Sequence, residues 1–112
     1  MSKGNGVVVS VKIVPNDRSN PPGKLADAEV IFEAASGPLS GLRLLGFAVW
    51  ERRDGGRNVT FPARTYSVNG ERRSFSLLRP ANGEANTQDA IRECILEAYS
   101  RTEAQAEVQA QA

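Results

Sequence analysis

The chain reads as an α+β domain, a twisted antiparallel β-sheet meander of about five strands with one C-terminal α-helix packed on it. Three observations predict this. Short stretches of two-residue hydrophobic alternation recur through residues 7–79, separated by Gly, Pro, Asn and Asp turns. Only residues 91–99 space their apolar positions by three and four. That stretch also follows all the strands, an order that lays one helix against one sheet face.

Residues 7–14 form the first expected strand, with Val9, Val11 and Ile13 on one face, and Pro15 ends it. "NDRSNPPGK", residues 16–24, is turn chemistry throughout. Residues 26–32 alternate Ala28, Val30 and Phe32 inward with Asp27 and Glu29 outward, a second strand. "EAASGPLSG", 33–41, is a loop, and 42–50 is the most apolar strand, expected to be central and covered on both faces. Asp54-Gly55-Gly56 turns the chain into a strand around Val59 and Phe61.

The next turn is specified most sharply. Asn69-Gly70 between alternating segments predicts a type I′ hairpin, because both central residues need positive φ. Alternation carried through from Val59 and Phe61 puts Arg64 and Tyr66 outward. On the returning strand, Phe75 and Leu77 point inward, and Arg72, Ser74 and Ser76 outward. A two-residue turn would set Arg64 opposite Phe75, against those faces. The expected remedy is one extra residue in the ladder near Pro62, which has no N–H to donate. Pro62 then marks an edge or bulge within an unbroken strand.

"PANGEANT", 80–87, leads into the helix, with Asn86 or Thr87 as cap and Asp89 in the first turn, where negative charge suits the helix dipole. Ile91, Cys94, Ile95, Ala98 and Tyr99 make its buried stripe, and Glu97 and Arg101 have the spacing of an ion pair. Cys94 reads as a structural thiol. The organisation is a flexible N-terminus (1–6), one domain (7–101) and an Ala/Gln/Glu tail (102–112) that either prolongs the helix or frays.

Composition narrows the chemistry. At 112 residues there is room for one domain, and no apolar run nears the ~20 residues that cross a membrane. No secretory leader is evident, and one cysteine among no others forms no internal disulfide, so a reducing cytoplasm is the expected compartment. There is no histidine, which removes the commonest general base and metal ligand. No phosphate-cradling glycine loop occurs. We expect no catalytic residues, no metal, no cofactor and no small-molecule substrate.

Net charge is +1 but unevenly placed. Residues 43–79 hold eight arginines against Glu51, Asp54 and Glu71, whereas 80–112 are acidic. Arg52, Arg53 and Arg57 flank the Gly-Gly turn. Arg64, Arg72 and Arg73 flank the Asn-Gly turn, with Tyr66 between them. Guanidinium groups match phosphate geometry, and an aromatic face stacks on an unpaired base. These seven residues are the candidate nucleic-acid contacts. The bland reading is that charge on edge strands blocks aggregation.

"GRNVTFPARTYSVNGERRSF", residues 56–75, resembles the signature of the bacterial stage V sporulation protein G family. In that pattern a glycine leads into an apolar strand, then Pro, a small residue and Arg, then a turn ending Gly-Glu and another Arg. Gly56, Val59, Phe61, Pro62, Ala63, Arg64, Gly70, Glu71 and Arg73 fit the order. This chain has an extra residue between Pro62 and Gly70, Thr65 in place of a usual second arginine, and no Asp-Ile-Ala-His-Pro phrase. The resemblance implies a cytoplasmic regulator that binds DNA or RNA as a homodimer joined through strand edges. Arg64 and Arg73 stand at motif positions. The alternative is a non-enzymatic protein–protein interaction or scaffolding module.

Overall fold

The computed structural model describes residues 9–17 and 21–111, so the segment expected to be flexible, 1–6, lies outside the described residues. Six strands precede one helix: β1 (Val9–Pro15), β2 (Lys24–Phe32), β3 (Arg43–Glu51), β4 (Arg57–Thr60), β5 (Ala63–Val68), β6 (Glu71–Ser76) and α1 (Asp89–Gln111). Strands β1 to β4 pair antiparallel in chain order as one sheet, and β5 and β6 form a separate two-stranded ribbon. The α+β class and the C-terminal helix are as the sequence predicts. Where about five strands are expected there are six, divided four and two.

The sheet's inner face follows the alternation. Ala26, Ala28 and Val30 of β2, Phe47 and Val49 of β3 and Val59 of β4 are buried, with Val9, Val11 and Ile13 of β1 packed against them. Helix α1 covers this face, setting Ile95 at full burial and Ala98 nearly so, with Ile91 and Tyr99 alongside. Burying an isoleucine completely contributes about 1.5–3 kcal/mol, so Ile95 is a principal anchor of helix to sheet. β3 is central, but both its faces are covered only over Phe47–Ala48–Val49, whereas Leu45 and the preceding Leu42 are each 55% exposed.

Two local expectations change. The helix starts at Asp89, preceded by a 3₁₀ turn over Ala85–Gln88, so Asn86 and Thr87 lie inside that turn and do not cap the helix. Asp89 is in the first helical turn and pairs with Arg92. The expected Glu97–Arg101 pair is not among the ion pairs of the described residues. Of the two alternatives for the Ala/Gln/Glu segment, prolongation is observed, with the helix running to Gln111.

The strand through Pro62 is broken. β4 ends at Thr60, β5 begins at Ala63, and the β5–β6 ladder runs without a bulge from Ala63↔Ser76 to Val68↔Glu71. The bulge is in β3. Ala28 faces Phe47 while Val30 faces Leu44, so Leu45 and Gly46 share one position opposite Glu29. Gly46 has φ +104°, and a Cβ there would lie 2.9 Å from the Pro62 Cβ. Pro62 is buried on that glycine and donates no hydrogen bond, so the sheet ladder stops and the chain departs as a new hairpin. Its carbonyl accepts from the Leu77 N–H at 2.9 Å, which closes the hairpin's root.

Candidate functional site

The ribbon β5–β6 is a hairpin whose residues 63–75 are all exposed. Its turn is as predicted, with φ +53° at Asn69 and +81° at Gly70. The two strands pack chiefly on each other. A two-stranded ribbon alone is marginal in water, so this arm depends on its root and its cross-strand pairs. The chain's radius of gyration is 16.1 Å, against about 13 Å for a compact chain of this length.

Cross-strand partners share a face, which sorts the arm's side chains. Arg64 pairs with Phe75, Tyr66 with Arg73 and Val68 with Glu71 on one face, while Thr65, Ser67, Arg72 and Ser74 occupy the other. All of the arm's aromatic surface is therefore on the Arg64 face. The rings of Tyr66 and Phe75 meet edge to face with centroids 5.8 Å apart, yet remain 42% and 39% exposed. Such a pair contributes about 0.5–1.5 kcal/mol, enough to stiffen the arm but not to cover it.

The expected inward position of Phe75 and Leu77 is therefore overturned, with Leu77 56% exposed. The ribbon is separate from the four-stranded sheet, so its apolar face does not reach the core. Arg64 opposite Phe75, the register of a plain two-residue turn, is the one observed.

The seven candidate residues do not form one surface. Arg64, Tyr66 and Arg73 are together on the aromatic face, and Arg72 is on the reverse. Arg52 and Arg53 sit in the β3–β4 turn, at the end of β4 remote from the hairpin, where Arg52 bridges Asp54 at 3.3 Å. Arg57 points to the helix side, its guanidinium 2.5 Å from Glu103 and 5.2 Å from the centre of the Tyr99 ring. It works as a clamp on α1. Arg57→Ala should cost about 1–2 kcal/mol, from a half-exposed ion pair and a cation–π contact, and speed amide exchange after Tyr99. Unchanged exchange there would refute the clamp.

Arginine pairing is uneven across the molecule. Arg43 is held by Glu29 and Arg92 by Asp89, whereas among the described residues Arg53, Arg64, Arg72, Arg79 and Arg101 have no carboxylate within ion-pair distance. Three of those five belong to the hairpin or its root. Arg73 does bridge Glu71 at 3.0 Å, but both side chains are more than half exposed, so the pair is worth about 0–1 kcal/mol and is readily exchanged for a phosphate.

Two residues that sequence reasoning did not select complete the face. Phe75 was assigned to the core, and only the two-residue turn register could have found it. Arg79, just beyond β6, places its guanidinium 5.9 Å from the centre of the Phe75 ring. Nothing in the sequence signals that contact, because it depends on how the chain bends after Ser76. The face thus offers Arg64, Arg73 and Arg79 around Tyr66 and Phe75.

No group of three or more His, Cys, Asp and Glu that could hold a metal occurs among the described residues. Among the same residues no helix is long and apolar enough to cross a membrane. In comparisons with known proteins the chain matches no family model, no curated protein and no solved structure. The likeness to the stage V sporulation protein G family therefore rests on the sequence pattern alone, which runs over roughly residues 7–101 and is most specific in 56–75.

Proposed function

We propose that the protein is a cytoplasmic, non-enzymatic regulator that binds nucleic acid as a homodimer, through the Arg64–Tyr66–Arg73–Phe75 face of its hairpin. The observation that carries this reading is Arg64, with no carboxylate within ion-pair distance among the described residues, and Arg73, held only by an exposed pair to Glu71, beside two half-exposed aromatic rings on one ribbon, with Arg79 at its root. Arginines supply phosphate contacts, and the Tyr66 ring offers a stacking surface to an unpaired base. Two copies double the basic surface, and β1, β4, β5 and β6 are edge strands through which copies could pair. Arg52, Arg53 and Arg57 fall outside this interface, and Arg72 can reach only a strand that wraps the arm.

The double variant Arg64→Ala/Arg73→Ala should lower affinity for nucleic acid by at least ~10²-fold, taking about 1.5 kcal/mol for each charged contact, while light scattering shows the same oligomer. Fluorescence anisotropy with pooled DNA and RNA oligonucleotides reads the change. Unaltered binding would instead favour a protein-interaction module. The observation behind that second reading is the exposure of Leu42, Leu45 and Leu77, each more than half accessible.

A further inference from the structure

A cavity of about 290 Å³ opens between the start of β1, the end of β2 and the first turns of α1. Its walls are apolar, including Val9, Phe32, Leu78, Ile91 and Cys94, and its polar lining comes from Gln88 and Arg79. The two polar residues differ in what they still require. The Gln88 Nε2 donates to the Leu78 carbonyl at 2.7 Å, so it braces the wall and is already engaged. Arg79 has no carboxylate within ion-pair distance among the described residues, and its one charge contact is the exposed Phe75 ring. Among the described residues no acidic residue lines the cavity.

We infer that this cavity binds a small amphipathic anion, a medium-chain carboxylate, with its hydrocarbon chain between β1 and α1 and its carboxylate on the Arg79 guanidinium. Greasy walls disfavour a sugar or nucleotide, whose hydroxyls would lose water without gaining partners. Arg79 is the cationic residue of the lining, its guanidinium resting 5.9 Å from the Phe75 ring centre, and a carboxylate takes two parallel N–H···O bonds from a guanidinium swung from that ring to the cavity mouth. The volume lies at the small end of ligand sites, which limits the chain to medium length. A cation–π contact on an exposed ring is weak, so Arg79 can leave Phe75 for a carboxylate at small cost.

Calorimetric titration of the full chain with octanoate, hexanoate and 1-octanol tests this. The titration contains no nucleic acid, so its result is independent of the function proposed above. Octanoate should bind at one site per chain and hexanoate about 15-fold more weakly, at roughly fourfold for each methylene removed from water. Arg79→Gln should weaken octanoate about tenfold and leave octanol unchanged. Ala90→Trp, which adds an indole to the cavity lining from an exposed helical position, should abolish binding of both with the circular dichroism spectrum retained. The inference is overturned if octanoate gives no saturable heat at millimolar concentration, if Arg79→Gln affects acid and alcohol alike, or if binding survives Ala90→Trp.

Discussion

Gly46→Ala is expected to lower the stability of the domain by about 2–6 kcal/mol, from two costs that add. A side chain at φ +104° is strained by roughly 1–3 kcal/mol, and forcing a Cβ to 2.9 Å from the Pro62 Cβ adds about 1–3 kcal/mol of overpacking. Neither neighbour can yield easily. Pro62 is a ring fixed in the main chain and buried, and Gly46 is in the middle of the central strand between Leu44 and Phe47. The corresponding fall in melting temperature is on the order of 10–20 °C. Gly70→Ala is the control. It has a similar positive φ, +81°, but nothing within 4 Å of the added carbon, so it should show the backbone strain alone. Urea denaturation of both variants measures the difference. Equal losses would mean that Pro62 does not seat on Gly46 and that the hairpin is hung from the sheet in some other way.

Raising salt from 50 to 200 mM should weaken nucleic-acid binding by an amount that also counts the arms. Each arm presents Arg64, Arg73 and Arg79, so a dimer using both arms makes six phosphate contacts. Counterion release then predicts a fall of about 2 × 10³-fold for duplex DNA and about 300-fold for a single strand. One arm acting alone would lose only about 40-fold on duplex. The exposed rings favour the single strand, and Tyr66→Ala should then remove about 1–3 kcal/mol of binding, with a much smaller effect on duplex. An anisotropy titration across the salt series reads both numbers. A response flat in salt would remove the electrostatic basis of the proposed function, whatever the oligomer.

Much of the fold is legible without coordinates, and for local reasons. The Asn69-Gly70 turn follows from the positive φ that a type I′ hairpin requires, and both residues adopt it. The inner faces of β1 and β2 follow from period-two alternation, and the buried helix positions Ile95 and Ala98 from spacings of three and four. Each of these rests on the steric preferences of neighbouring residues, which act over a few positions.

The candidate site was only partly legible. Arg64, Tyr66 and Arg73 were selected for their charge and aromaticity, and the β5–β6 register does bring them to one face. Phe75 was misplaced because the apolar face of its strand was expected to meet the core, whereas the ribbon leaves the sheet at Phe61–Pro62 and neither of its faces is covered. The side-chain type at Arg57 is no different from that at Arg64, yet Arg57 meets Glu103, 46 residues further along the chain.

By itself, then, the amino-acid order determined the α+β class, the positions of the turns, the buried stripe of the helix and the clustering of arginines between residues 43 and 79. Only the tertiary structure decided where the sheet ends, which arginines are neutralised and which remain open on the arm. The reason is one of range. Backbone preferences and periodicity act between near neighbours, whereas the meeting of Pro62 with Gly46, of Arg57 with Glu103 and of Arg79 with Phe75 depends on segments brought together by packing.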